Sequence, residues 1–325
     1  MDLRAPSLTE MSNIRTSDER RDAIAGGEGR LRKRVLIICN PAAGSASAKR
    51  MGRIIKHLAL LGAMTTVRRT ARPGDAERLA QEACGERFDV VVAAGGDGTI
   101  NEVVNGLAGS AMPLAVIPLG TANVLAAEIR LPTTAHGIAE TVVRGPARPV
   151  SVGIANGRRF VMMAGVGFDA YLVAHLNPWL KRQLGKLSFV LEGAVALVRF
   201  PYHRYRVTVD NRSYEAASVV VANGHYYGGR FTCAPDASLD ADSFEVCLFL
   251  RSGPLAVMRY GLAMAMGRLH RLKDVRIVRG RCVRVEGATT EPVQCDGEVA
   301  GHLPLVATAV SGGLTLVRAD DPGHA

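Results

Sequence analysis

Aromatic side chains are scarce, at 5% of the chain with a single Trp, too few for the stacking platforms that hold single-stranded nucleic acid. No recognisable nucleic-acid reader module accompanies them. The six cysteines, Cys39, Cys84, Cys233, Cys247, Cys282 and Cys295, show no C-x-x-C spacing and stand mostly in apolar, strand-like contexts. That pattern argues against zinc and reads as reduced core thiols of a cytoplasmic protein. None of the eight histidines has metal-ligand spacing. The first thirty residues lack an apolar core segment, which excludes a signal peptide; residues 1–31 are expected to be a disordered lead-in. The most apolar long run, Leu184 to Phe200, is broken by Lys186 and Glu192 and is too short to span a bilayer. Internal repeats and low-complexity tracts are also missing.

What is present is an ordinary globular composition, 48% apolar and 22% charged, in 325 residues, a length that suits two domains. The formal net charge of +10 asks for an acidic partner, which nucleotide, an anionic membrane surface or nucleic acid could each supply.

Strands and helices alternate through the first half. Val35–Cys39 reads as a buried strand, followed by a helix over 46–61, a strand over 65–69, a helix over 76–84, a strand over 89–94 and another over 114–117. This order predicts an open parallel sheet, Rossmann-like, with ligand loops at the carboxyl ends of its strands. From about residue 147 the pattern changes to short strands separated by turn signals such as Asn156-Gly157 and Asp210-Asn211, which predicts a mostly antiparallel β domain. Helical stretches near 178–199 and 254–267 interrupt it. The expected domains are 32–146 and 147–306, with residues 307–319, and a strand at Gly313–Val317 among them, returning to the first sheet.

The most informative stretch is Gly95-Gly96-Asp97-Gly98-Thr99-Ile100-Asn101-Glu102, directly after an apolar strand. Its glycines let backbone N–H groups approach a phosphate, and the helix that follows turns its positive end to the anion. Thr99 is expected to cap that helix, with Glu102 completing a capping box. Asp97 would repel bare phosphate, so it implies an intervening metal ion or the orientation of another group. Asp296-Gly297-Glu298 places two carboxylates where one could act as a base and the other orient it.

Taken in order, these motifs resemble the diacylglycerol kinase catalytic-domain family, specifically its bacterial soluble lipid kinases, over roughly residues 32–318. The likeness rests on Asn40-Pro41-Ala42-Ala43-Gly44, on Thr70 with Gly74-Asp75-Ala76, on the Gly95–Val103 signature, and on Gly120-Thr121-Ala122-Asn123. Ala164–Ala170, the Asn223–Gly229 and Ala234–Ala237 segments and Asp296-Gly297-Glu298 extend it. The resemblance implies a nucleotide-binding domain like those of phosphofructokinase and NAD kinase, followed by a β-sandwich. It also implies phosphoryl transfer from ATP, with Mg2+, to a diacylglycerol-like or sphingoid lipid, a role in phospholipid synthesis, and peripheral association with the inner face of the membrane. Nucleic acid is not an expected partner, and a homodimer is left open. Asn40, Pro41, Ala42, Ala43, Gly44, Thr70, Gly95, Gly96, Asp97, Gly98, Thr99, Ile100, Asn101 and Thr121 would hold nucleotide. Glu298, Asp296 and Asp97 would carry catalysis, with Glu298 the preferred proton acceptor and either Asp296 or Glu298 admissible.

Two departures stand out. Val124 replaces an Asp common in relatives after the Asn of the nucleotide loop, leaving Asp97 and Asp169 to hold more of the metal network. Ala241 replaces the Asp of a structural magnesium loop, so that second metal is expected to be weakened or absent, although Asp240 or Asp242 could substitute. An NAD kinase-like enzyme and a catalytically weak lipid- or nucleotide-binding regulator are the alternatives. The Asn-Pro-x-x-Gly and Gly-Thr-Ala-Asn loops weigh against the first. The only Trp, in Asn177–Lys186, either dips into a membrane or ends a packed helix, and the basic cluster at Arg268, His270, Arg271 and Lys273 reads as a solvated face.

Overall fold

The computed structural model describes residues 31–41, 44–175 and 186–319. Ala42, Ala43, nearly all of the lead-in and the 177–185 segment lie outside the described residues. Four parallel strands, β1 (Arg34–Cys39), β2 (Met64–Arg69), β3 (Val90–Gly95) and β4 (Leu114–Pro118), form one half of a sheet in the order β2-β1-β3-β4. Val90 through Gly95 and Leu114 through Pro118 are buried at every position, as strands covered on both faces must be, while the edge strand β2 is polar and mostly exposed. Helices α1 (Gly44–Leu60), α2 (Asp75–Ala83), α3 (Asp97–Gly106), α4 (Val124–Glu128) and α5 (Ala135–Arg144) connect and cover the strands.

The second half is an antiparallel β-sandwich. Its strands are β5 (Ala147–Ala155), β6 (Arg158–Phe160), β7 (Met163–Val166), β8 (Tyr205–Val209), β9 (Arg212–Ala216), β10 (Ser218–Ala222), β11 (Tyr226–Tyr227) and β12 (Phe231–Thr232). They continue with β13 (Phe244–Phe249), β14 (Val275–Gly280), β15 (Cys282–Glu286), β16 (Pro292–Cys295), β17 (Glu298–His302) and β18 (Leu305–Val317). One layer runs β14-β13-β10-β7-β16-β17. The other contains β9-β8-β15-β18-β5, and Tyr205, Val207, Phe160, Phe244, Val246 and Val283 fill the space between them. Helices α6 (Phe168–His175), α7 (Lys186–Arg199) and α8 (Pro254–Ala265) lie within this half of the chain.

The last strand is longer than its sequence pattern predicts. It spans thirteen residues and pairs antiparallel with β5 and β15, while Leu316 pairs parallel with Leu114 of β4, so the two halves share one continuous sheet. The expected single strand over 159–165 is split into β6 and β7, because the backbone N–H groups of Val161, Met162 and Met163 leave the ladder to bind the Asp296 carboxylate. The expected capping box on α3 is also absent. The helix begins at Asp97, Thr99 sits inside its first turn accepting from Asn40 Nδ2 at 3.4 Å, and Glu102 instead accepts the Ala76 N–H of α2 at 3.0 Å.

Helices α2 and α3 approach so closely at Gly106 that a Cβ there would lie 2.2 Å from the Glu77 carbonyl oxygen. Ala for Gly at an open helix position stabilises by about 1 kcal/mol. Here the sign should reverse: Gly106→Ala is expected to destabilise by roughly 1–3 kcal/mol, as overpacked sites do, with Gly85→Ala unaffected because a Cβ there makes only an ordinary 3.7 Å contact. Denaturant unfolding of the two variants checks it.

Candidate active site

Because β1–β4 are parallel, the loops that follow them all emerge at one edge of the sheet. Thr70 after β2 donates its N–H to Cys39 O at the end of β1, Asn40 N–H reaches Ala94 O of β3, and Leu119 N–H reaches Gly95 O. The Gly95-Gly96 turn packs against the next loop with no side chain between them; a Cβ on Gly120 would sit 2.5 Å from the Gly96 Cα. Asn123 fastens that loop, accepting from Gly120 N–H (2.9 Å) and donating to Gly120 O (2.7 Å), and Thr121 stands exposed at its tip. Asn40, Thr70, Gly95–Thr99 and Thr121 thus gather at one edge beside the N-terminus of α3.

Asp97, the first residue of α3, accepts N–H groups from Asn123 (3.0 Å) and Val124 (2.8 Å). Burial, with the nearby Asp296 charge adding to it, pushes the Asp97 carboxyl up. The Val124 departure therefore leaves this contact intact, since the backbone and not the side chain makes it. At its other end α4 carries Glu128, whose carboxylate accepts the N–H groups of His225 (2.9 Å) and Tyr226 (3.2 Å). Helix α4 is a strut from the glycine loop to the sandwich, which sequence reasoning missed.

Helix α3 also carries the attachment to the Asp296 turn. Asn101 is buried, donating to Asp296 Oδ2 (2.9 Å) and Arg159 O (2.9 Å) and accepting from Arg158 Nη2 (3.1 Å). Its amide is consumed inside the protein, and Ile100 is a core residue whose N–H binds Gly96 O, so neither side chain faces the loop edge as expected. Asp296 adopts a left-handed backbone conformation (φ 49°), and its carboxylate accepts from Asn101, Val161 (2.8 Å), Met162 (2.8 Å) and Met163 (3.1 Å). Two residues on, Glu298 lies over the glycine loop: a Cβ on Gly98 would fall 2.0 Å from Glu298 Oε1. A side chain at position 98 would have to displace that carboxylate. The Asp296 carboxylate is thus engaged by four donors, while Glu298, the acceptor preferred from the sequence, stands exposed beside the loop.

Gln294 joins this turn to Asp169. Buried on β16, it accepts the Gly297 N–H (2.9 Å) and donates to Asp169 Oδ2 (3.1 Å). The other Asp169 oxygen is buried without a hydrogen-bond partner, and burial pushes the carboxyl up to about 6. Asp169 and Asp97 are thus given separate partners, and no group of three metal-ligating side chains occurs among the described residues.

Magnesium takes oxygen donors, often only one or two protein carboxylates, with phosphate and water completing its shell. Asp97 fits that donor set, because each of its oxygens retains a lone pair after accepting one N–H. The 238–243 loop does not fit it. Asp240 accepts both Nη atoms of Arg318 (2.9 and 2.8 Å) and Asp242 accepts from Arg281 (3.0 Å), so guanidinium groups occupy the expected metal positions.

Two measurements follow. The folded-state value of Asp169 lies above the ordinary 3.8, so its contribution to stability is fully present below about pH 4 and is lost as pH rises through about 6. Asp169→Asn should therefore raise stability near neutral pH by up to about 3 kcal/mol, the gain vanishing toward acid pH, as thermal unfolding against pH will read. Dialysis against a chelator should leave the unfolding temperature unchanged, whereas Arg318→Gln should lower it. One magnesium per chain, retained through gel filtration and lost on Asp240→Ala, would contradict the assignment of that loop to Arg318.

The diacylglycerol kinase catalytic domain profile matches residues 34–155, and the YegS C-terminal NAD kinase beta sandwich-like domain profile matches residues 162–318. A diacylglycerol kinase of Bacillus subtilis is 34% identical over 280 residues, covering 84% of this chain and 92% of that protein. One from Staphylococcus aureus is 28% identical over 281 residues, covering 84% and 89%. The crystal structure of a diacylglycerol kinase from Bacillus anthracis superposes with a TM-score of 0.72 at 25% identity, covering 92% of this chain and 100% of that one. On these matches the chain belongs to the diacylglycerol kinase catalytic-domain family and is a lipid kinase.

Proposed function

We propose that this kinase transfers the γ-phosphoryl group of ATP to a hydroxyl of a diacylglycerol-like lipid at the inner face of the membrane. The observation that carries the reading is the Glu298 carboxylate lying directly over Gly98, at the N-terminal turn of α3. A base and a phosphate-binding loop are brought within one side chain's reach of each other, although two hundred residues separate them in sequence. The relatives' name supports the choice of diacylglycerol as acceptor.

In this reading Asn40, Thr70, the Gly95–Thr99 turn and Thr121 bind the nucleotide, its phosphates meeting the free N–H groups and positive end of α3. Glu298 accepts the proton of the lipid hydroxyl as its oxygen bonds to the γ-phosphorus and the bond to the β-phosphate oxygen breaks, releasing ADP. Asp296 and Gln294 hold the turn so that Glu298 keeps its place. Asp97 would hold magnesium, which when bound offsets the charge developing on the phosphates. None of the described helices is long and apolar enough to cross a membrane.

Transfer of labelled γ-phosphate from ATP to micelle-presented lipids tests this. Diacylglycerol should be phosphorylated and NAD should not, and Glu298→Gln, which keeps the shape over Gly98, should lower kcat by roughly a hundred- to ten-thousandfold with ATP binding retained. Turnover near the wild-type rate in Glu298→Gln would remove Glu298 as the base.

A further inference from the structure

Helix α8 and the turn after it are amphipathic in an unusual sense: the outward face is apolar. Leu255, Met258, Leu262 and Met266 recur at steps of three and four, the spacing of one helix face, and each is more than half exposed, Leu255 at 82%. The inward face is already filled, since Tyr260 and Ala263 are buried and Ala256 and Met264 pack on the core. Helix α7 lies beside it and adds Val195 and Val198, the latter 83% exposed. Helix α8 thus presents an exposed apolar stripe, with exposed valines on the neighbouring α7.

Its surroundings identify what would cover it. From Arg251 to Lys273 the chain contains no acidic residue. The helix leads directly into Arg268, Arg271 and Lys273, all exposed, and none of the three pairs with a carboxylate among the described residues. An apolar stripe with cationic residues at its end matches an anionic lipid surface, where the side chains enter the acyl boundary and the cations meet headgroup phosphates. A protein partner would need acidic residues opposite that cluster, and a second copy of this chain would set the same cations against each other or leave them unmatched.

We propose that the outward face of α7 and α8, with the basic cluster at 268–273, is the surface by which this protein docks on anionic bilayers. Its purpose rests on the lipid-kinase reading, since docking here would hold the enzyme at the phase that contains its acceptor. Docking itself does not require that the reading be right.

The full chain is sedimented with vesicles of phosphatidylcholine alone and of phosphatidylcholine containing about one-third phosphatidylglycerol. Binding is expected to the second and not the first, weakening with salt. The double substitution Leu255→Glu and Leu262→Glu, and separately Arg268→Ala with Arg271→Ala and Lys273→Ala, should each weaken binding at least about tenfold, one decade in the dissociation constant. Both sets lie on the surface, and an unchanged unfolding temperature shows that the fold is kept. Activity on a dispersed short-chain diacylglycerol should be unchanged in both variants while activity on vesicle-embedded diacylglycerol falls. Wild-type binding without dependence on these residues overturns the proposal, as does a dimer that the Leu→Glu pair dissociates without affecting vesicle binding. Face-dependent binding by a protein that phosphorylates no lipid would instead sink the proposed acceptor and leave the docking surface standing.

Discussion

The site depends on one buried charge. Asp296 places a carboxylate where water is largely excluded, a cost of several kcal/mol unless donors replace the lost hydration. Three consecutive backbone N–H groups and the Asn101 amide supply them. Burial still outweighs these bonds and pushes the carboxyl up, so the charge is tolerated more than welcomed. The same four bonds fix much else. They break the strand between Phe160 and Met163, they tie α3 to the sandwich through Asn101, and they fix the left-handed turn that sets Glu298 over Gly98. Removing the carboxylate would leave three buried N–H groups without acceptors, which is why the turn belongs to the fold as well as to the chemistry.

A second constraint is electrostatic. Asp97, Asp296 and Glu298 cluster about the N-terminal turn of α3, and Asp97 and Asp296 raise each other's cost of ionisation. The positive end of the helix and the N–H groups of Asn123 and Val124 offset part of this charge. In the proposed reaction such an arrangement would disfavour a bare polyphosphate and suit one that arrives with a divalent cation. Elsewhere the chain is strongly basic, so acidic density at this edge is a local exception whose sense comes from the reaction proposed for it.

Much of this was legible in the sequence because the relevant signals are local. The buried runs of β1, β3 and β4, the glycines after β3 and the Asn-Gly turn between β5 and β6 each lie within a few consecutive residues, and the parallel half followed from them. What was not legible depends on pairs far apart in the chain. Nothing near Gln294 announces a link between Asp169 and the Gly297 amide. Glu128 looks like an ordinary helix-terminal acid until the 225–226 loop folds onto it. Thr99 and Glu102 satisfy the capping-box pattern, yet the helix starts two residues before Thr99 and both side chains find partners on other elements. Short strands such as β16 and β17 carry too few residues for a period-two pattern to register.

The 238–243 loop shows how one cation can stand in for another. Arg318 ends β18, its N–H binds Pro146 O, and its planar guanidinium meets both oxygens of Asp240, a bidentate geometry a point charge cannot reproduce. A metal in that position would need deprotonated ligands and a supply of free ion, and its contribution to stability would vary with both. A side-chain cation is always present and always charged. It also ties the end of the strand shared by the two halves to the loop before β13. The loss of the acid at Ala241 is consistent with a loop held by Arg318.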